Sequence, residues 1–85
     1  MTYTVTWAED ASNDLADLWL NSRDRAEVAR AADEIDRLLM ADPLAAGESR
    51  VVNIRIMLES PLGVFYDVYP SDRKVIAWRV WRTKK

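Results

Sequence analysis

Apolar and polar positions recur with two different periods along this chain, and the change of period divides it. Tyr3-Thr4-Val5-Thr6-Trp7 alternates residue by residue and uses β-branched and aromatic types, the pattern of a half-buried strand. From Ala11 the spacing becomes helical. Ala11, Leu15, Leu18 and Trp19 recur at i, i+4, i+7 and i+8, preceded by Glu9 and Asp10, whose charge suits a helix N-terminus. This helix is expected to end near Asn21. Ser22 to Asp24 is a short polar break, and Asp24 followed by Glu27 has capping-box spacing. The second helix carries the most regular stripe: Val28, Ala31, Ala32, Ile35, Leu38 and Leu39. Arg30–Glu34 and Asp33–Arg37 are spaced for i,i+4 pairing on its other faces. Asp42-Pro43 stops it.

After a loop from Leu44 to Ser49, period two returns three times, over Arg50–Leu58, Leu62–Tyr69 and Lys74–Arg82. The intervening turns, Glu59-Ser60-Pro61 and Pro70-Ser71-Asp72-Arg73, are short enough to make an antiparallel meander. The predicted fold is one α+β domain over residues 1–85, in the order β-α-α-β-β-β, with a helical hairpin packed on one face of an antiparallel sheet. Matching apolar periods place the second helix against Ile54, Ile56, Val64, Tyr66 and Val68. That leaves Asn53, Arg55, Phe65, Asp67, Arg79 and Trp81 on the opposite face. Strict alternation puts Trp78 and Trp81 on different faces of the last strand.

Composition sharpens this picture at three points. A chain of 85 residues buries a thin core, yet it carries four tryptophans, Trp7, Trp19, Trp78 and Trp81. Indole is bulky and its N–H needs a partner, so four of them either line the edges of the helix–sheet interface or spill into an exposed patch. There is no cysteine and no histidine. Disulfides, thiolate metal sites and imidazole acid–base chemistry are thereby excluded, and no metal or cofactor is expected. No secretory leader and no membrane-spanning apolar run is visible, so a cytoplasmic address is expected and no membrane partner. The net charge of −2 is unevenly spread: residues 9–48 hold eleven acidic and four basic side chains, residues 49–85 three acidic and eight basic. Such separation either orients a partner at a distance or leaves two solvated faces.

Several features together resemble the RelE/ParE superfamily of toxins. They are Tyr3-x-Val5, then Ala11, Leu15 and Leu18, then Ala31-Ala32 with Ile35-Asp36-Arg37-Leu38-Leu39, then Asp42-Pro43, Gly47, Pro61-Leu62-Gly63-Val64-Phe65-Tyr66-Asp67-Val68, and Val75 to Val80. The resemblance spans nearly the whole chain. It implies the toxin of a bacterial toxin–antitoxin module, with a cognate antitoxin as partner and either DNA gyrase or the ribosome and its mRNA as target. RelE-like members cut mRNA with a basic cluster and often a C-terminal tyrosine. Here Gly63 stands where the resemblance implies an arginine, and the chain ends Arg82-Thr83-Lys84-Lys85 without a tyrosine.

RNA cleavage through the 2′-hydroxyl needs proton transfer and positive charge at the phosphorane. The candidates for a metal-independent endoribonuclease are Arg55, Arg79 and Arg82, with Arg55 and Arg79 on the face away from the helices. The competing reading pairs Arg55 with Asp67 across neighbouring strands. Phe65, Tyr69 and Trp81 are the candidates for partner binding, since exposed aromatics suit an interface.

Overall fold

The computed structural model describes residues 2–51 and 54–83, with the side chains of Arg50 and Val51 left undescribed. Its elements are β1 (Thr4–Trp7), α1 (Glu9–Leu20), α2 (Arg25–Ala41), a one-turn α3 (Pro43–Ala46), β2 (Glu48–Val51), β3 (Ile54–Glu59), β4 (Leu62–Tyr69), a 3-10 turn at Pro70–Asp72, and β5 (Lys74–Arg82). The α+β class and the helical hairpin on one sheet face are as the sequence predicts.

Two features of the sheet correct the expectation. The segment predicted as one strand over Arg50–Leu58 contributes to two, because β2 and β3 pair antiparallel with each other. Val52 and Asn53 lie outside the described residues, as do Lys84 and Lys85 of the tail. The sheet is also not wholly antiparallel. Its order is β1-β5-β4-β3-β2, and β1 runs parallel to β5, Thr4 opposite Lys74 and Trp7 opposite Ala77. A parallel pair needs a long crossover, and here the rest of the chain supplies it.

The core lies between the hairpin and the sheet. Of the predicted stripes, Trp19 is exposed, Ala32, Leu38, Leu15 and Leu18 are half-buried, and Val28, Ala31, Ile35 and Leu39 of α2 and Ala11 of α1 are fully buried. On the sheet they meet Met57, Leu62, Val64, Tyr66, Val75, Ala77 and Val80. Met57 is opposite Val64, and Arg55 is opposite Tyr66. The inward set of β3 is therefore Arg55 and Met57, and the expected placement of Ile54 and Ile56 against α2 is reversed. Ile54 and Leu58 are exposed. A one-residue change of register exchanges the two faces of a strand, and both faces of β3 are apolar enough to have hidden it.

The helices are anchored by specific bonds. Tyr3 N–H donates to the Met40 carbonyl, 2.9 Å, and the Trp7 indole N–H to Asp36, 3.1 Å, so β1 is tied to α2 at two points. The charged rows of α2 pair at i,i+3, Arg30 with Glu27 and Arg37 with Glu34, in place of the i,i+4 pairs expected. Asp24 is the N-cap of α2, but its side chain makes no capping bond and takes Arg82 instead, 3.0 Å.

Candidate protein-binding face

A β-bulge shapes the outer face of the sheet, the one turned from the helices. Phe65 is opposite Arg79, yet Tyr66 is opposite Ala77, so Trp78 is an extra residue in β5. The bulge breaks the alternation on which the sequence expectation rests. Trp78 and Trp81 consequently share the outer face: the Trp78 indole N–H donates to Asp67, 3.1 Å, and Trp81 packs on Phe65 with ring centroids 4.7 Å apart. Their predicted opposition is corrected.

The same face collects Ile54, Leu58, Phe65, Tyr69 and Trp78, all exposed, with Trp81 half-buried among them. Phe65, Tyr69 and Trp81, the three sequence candidates, are thus brought to one side. Trp81 lies flat across Gly63. A Cβ built on Gly63 would stand 2.5 Å from Trp81 Cζ2. The glycine is what admits the indole. At the centre sits Asp67. Its Oδ2 accepts from Trp78 and from the Tyr69 hydroxyl, 3.3 Å. Its Oδ1 is buried without a hydrogen-bond partner among the described residues. Partial desolvation of the Tyr69 hydroxyl at the sheet surface, reinforced by the Asp67 carboxylate, raises that phenol from its usual range. Ile54, Phe65, Asp67, Trp78 and Arg79 line a shallow pocket of about 380 Å³ there.

The three arginines are not gathered. Arg55, expected on the outer face, is on the helix side. Its Nη2 donates to the carbonyls of Leu44 and Gly47, 2.6 and 2.8 Å, closing the short α3 and the loop after it. It does not pair with Asp67. Tyr66 completes this corner by donating to the Pro43 carbonyl, 2.7 Å, and burial holds its phenol above the usual range. Arg79 binds Asp14 of α1 through Nε and Nη2, 2.7 and 3.0 Å. That carboxylate also accepts from Val80 N–H, 3.0 Å, capping the edge of β5 beyond the end of β1. The Arg79 guanidinium holds the Asp14 carboxyl below its ordinary value, opposed in part by burial. Arg82 is held by Asp24 and Ser22. Each arginine thus has its own structural partner, and no two share one.

A second apolar surface escapes the sequence expectation. Between α1 and α2 runs a groove of about 750 Å³ lined by Trp7, Leu15, Trp19, Leu20, Ala32 and Asp36 among others. The signal for it was Leu20 beside Trp19, one apolar residue more than the α1 stripe needs. Arg25 lies over the Trp19 ring, 4.8 Å from its centroid.

No sequence-family model matches this chain, and no curated protein is significantly similar to it. Solved structures are. A chain of the toxin–antitoxin complex RelBE2 from Mycobacterium tuberculosis superposes with a TM-score of 0.82 at 19% identity, covering 100% of this chain and 95% of that one. A chain of the chromosomal ParDE system from P. aeruginosa gives 0.72 at 16%, covering 96% and 97%. The isolated RelE toxin of E. coli gives 0.67 at 14%, covering 98% and 86%. The fold is therefore the RelE/ParE fold from end to end, similar to solved structures of both the RelBE and ParDE systems.

Proposed function

We propose that this chain is the toxin of a toxin–antitoxin module, acting in the cytoplasm and silenced when a cognate antitoxin covers its outer sheet face. The observation that carries this is the exposed aromatic surface of Phe65, Tyr69 and Trp78, with Trp81 behind them, on a fold whose solved relatives come from toxin–antitoxin systems. The described helices all belong to the other side of the sheet and leave this face uncovered. Apolar and aromatic area of this kind is interface material.

The mode of arrest follows from the arginines. An endoribonuclease needs free positive charge converging on one phosphate. Arg55 holds backbone carbonyls, Arg79 is offset by Asp14 and Arg82 by Asp24. Trp81 fills the space that an arginine at position 63 would need. The isoelectric point near 5.0 adds no general attraction for RNA. We therefore assign arrest to inhibition of gyrase, or failing that of translation, by binding and without cleavage of mRNA by Arg55, Arg79 and Arg82.

The test is induction of the chain alone in bacterial cells. The expected outcome is growth arrest with intact transcripts and loss of gyrase supercoiling, relieved by an antitoxin expressed beside it. Transcripts cut within codons, with cleavage lost in an Arg55→Ala, Arg79→Ala variant and indifferent to chelators, would establish the ribonuclease instead. Unimpaired growth would remove the toxin function altogether.

A further inference from the structure

We propose that the pocket at Asp67 receives a cationic side chain, an arginine or lysine of the protein that covers the outer face. Asp67 is its counter-ion, and Trp78 and Phe65 are its walls. The inference rests on the toxin–antitoxin function proposed above and adds the chemistry by which the partner is recognised.

Four observations point to a cation. Asp67 is one of the residues that line the pocket, together with the aromatic Phe65 and Trp78. A ring face attracts a cation through its quadrupole, so carboxylate and aromatics favour the same guest. Among the described residues Asp67 has no ionic partner: Oδ2 accepts from the neutral donors Trp78 and Tyr69, and Oδ1 accepts from none of them. A buried acceptor left without a donor is costly, and a guanidinium or ammonium would relieve it. Arg79, the cation at the pocket rim, is turned to the sheet edge and bound to Asp14. It therefore does not compete. Finally, Ile54, Phe65 and Trp78 are all exposed. Such side chains can change rotamer to admit a guest without disturbing the core.

A nucleobase is the rival guest, since aromatics also stack bases. The charge decides against it. A strand of RNA would bring phosphates to a pocket whose one unpaired charge, among the described residues that line it, is negative.

The probe is N-acetyl-arginine amide, with N-acetyl-citrulline amide as its uncharged counterpart and guanosine monophosphate as the nucleotide. Each is titrated into the isotope-labelled full chain while the Trp78 indole N–H resonance is followed, because that N–H is bonded to Asp67. The arginine probe is expected to shift it saturably and the other two are not. Asp67→Asn keeps an oxygen for Trp78 and Tyr69 but removes the charge, and should weaken arginine binding about tenfold or more. Equal responses to arginine and citrulline, a response to the nucleotide alone, no response, or unchanged affinity in Asp67→Asn would overturn the proposal. The first three comparisons use the parent protein, so they hold even if the variant fails to fold. A chain that arrests growth and binds an antitoxin but ignores the arginine probe loses this inference only. One that binds the probe yet neither arrests growth nor takes an antitoxin keeps the pocket and loses the proposed function.

Discussion

At residue 63 a single hydrogen decides how the outer face is built. The space a methyl group would fill belongs to the Trp81 ring. Gly63→Ala must push a rigid indole off the sheet and should destabilise the chain by about 1–3 kcal/mol in denaturant unfolding. In a Trp81→Ala background the same change should be close to neutral, since nothing then occupies the space. A cycle showing no coupling would mean that the ring does not depend on the glycine. Asp14 contributes to the pH response. Its folded pKa is depressed, first by the Arg79 bond, so the folded chain binds this proton less readily than the unfolded chain. The stability it contributes is therefore full above the unfolded value near about 4 and is lost as pH falls through the lower folded value. Comparing unfolding midpoints of parent and Asp14→Asn across pH checks this. The parent's advantage should hold at neutral pH and shrink on acidification below about pH 4; an advantage that grew there would reverse the sign.

Among elements, the helices were legible and the faces of the sheet were not, for a physical reason. A helical stripe buries one side only, so Val28, Ala31, Ile35 and Leu39 could be picked from spacing and all are fully buried. In β3 and β5 both sides are apolar, and alternation then carries no sign. The bulge at Trp78 adds an extra residue that alternation cannot count. These two effects moved Arg55 inward and Trp78 outward, so one candidate left the outer face and one further aromatic joined it. Phe65 and Tyr69 survived because β4 runs between neighbours without changing its own alternation. The corrected faces are testable side by side. Met57→Asp should cost at least about 3 kcal/mol by placing an unpaired charge in the core. Leu58→Asp, at a residue 64% exposed, should stay within about 0.5 kcal/mol. Ile35→Asp belongs with Met57, being fully buried under the sheet. If Leu58→Asp unfolds the chain and Met57→Asp does not, the register between β3 and β4 is wrong.

For the whole molecule, apolar surface is left open on both sides: Trp19 and Leu20 at the groove between α1 and α2, and Ile54, Leu58, Phe65, Tyr69 and Trp78 on the outer sheet face. The free chain should therefore self-associate at rising concentration. An Ile54→Lys, Leu58→Lys variant should remain monodisperse in light scattering with its unfolding midpoint unchanged; a parent that stays monomeric at high concentration would count against an unfinished face. The parallel pairing of β1 with β5 has a consequence of another kind. Thr4 leaves the ribosome roughly 4 to 14 s before its neighbour Lys74 at ordinary rates of synthesis. Until then β1 has no strand beside it, and α1 lacks the Arg79 that fixes it. The hairpin can form early, but the sheet that carries the aromatic face cannot. A nascent chain that has not yet made β5 cannot present the finished aromatic face, and a messenger broken anywhere before β5 yields no chain that carries Trp78 and Trp81.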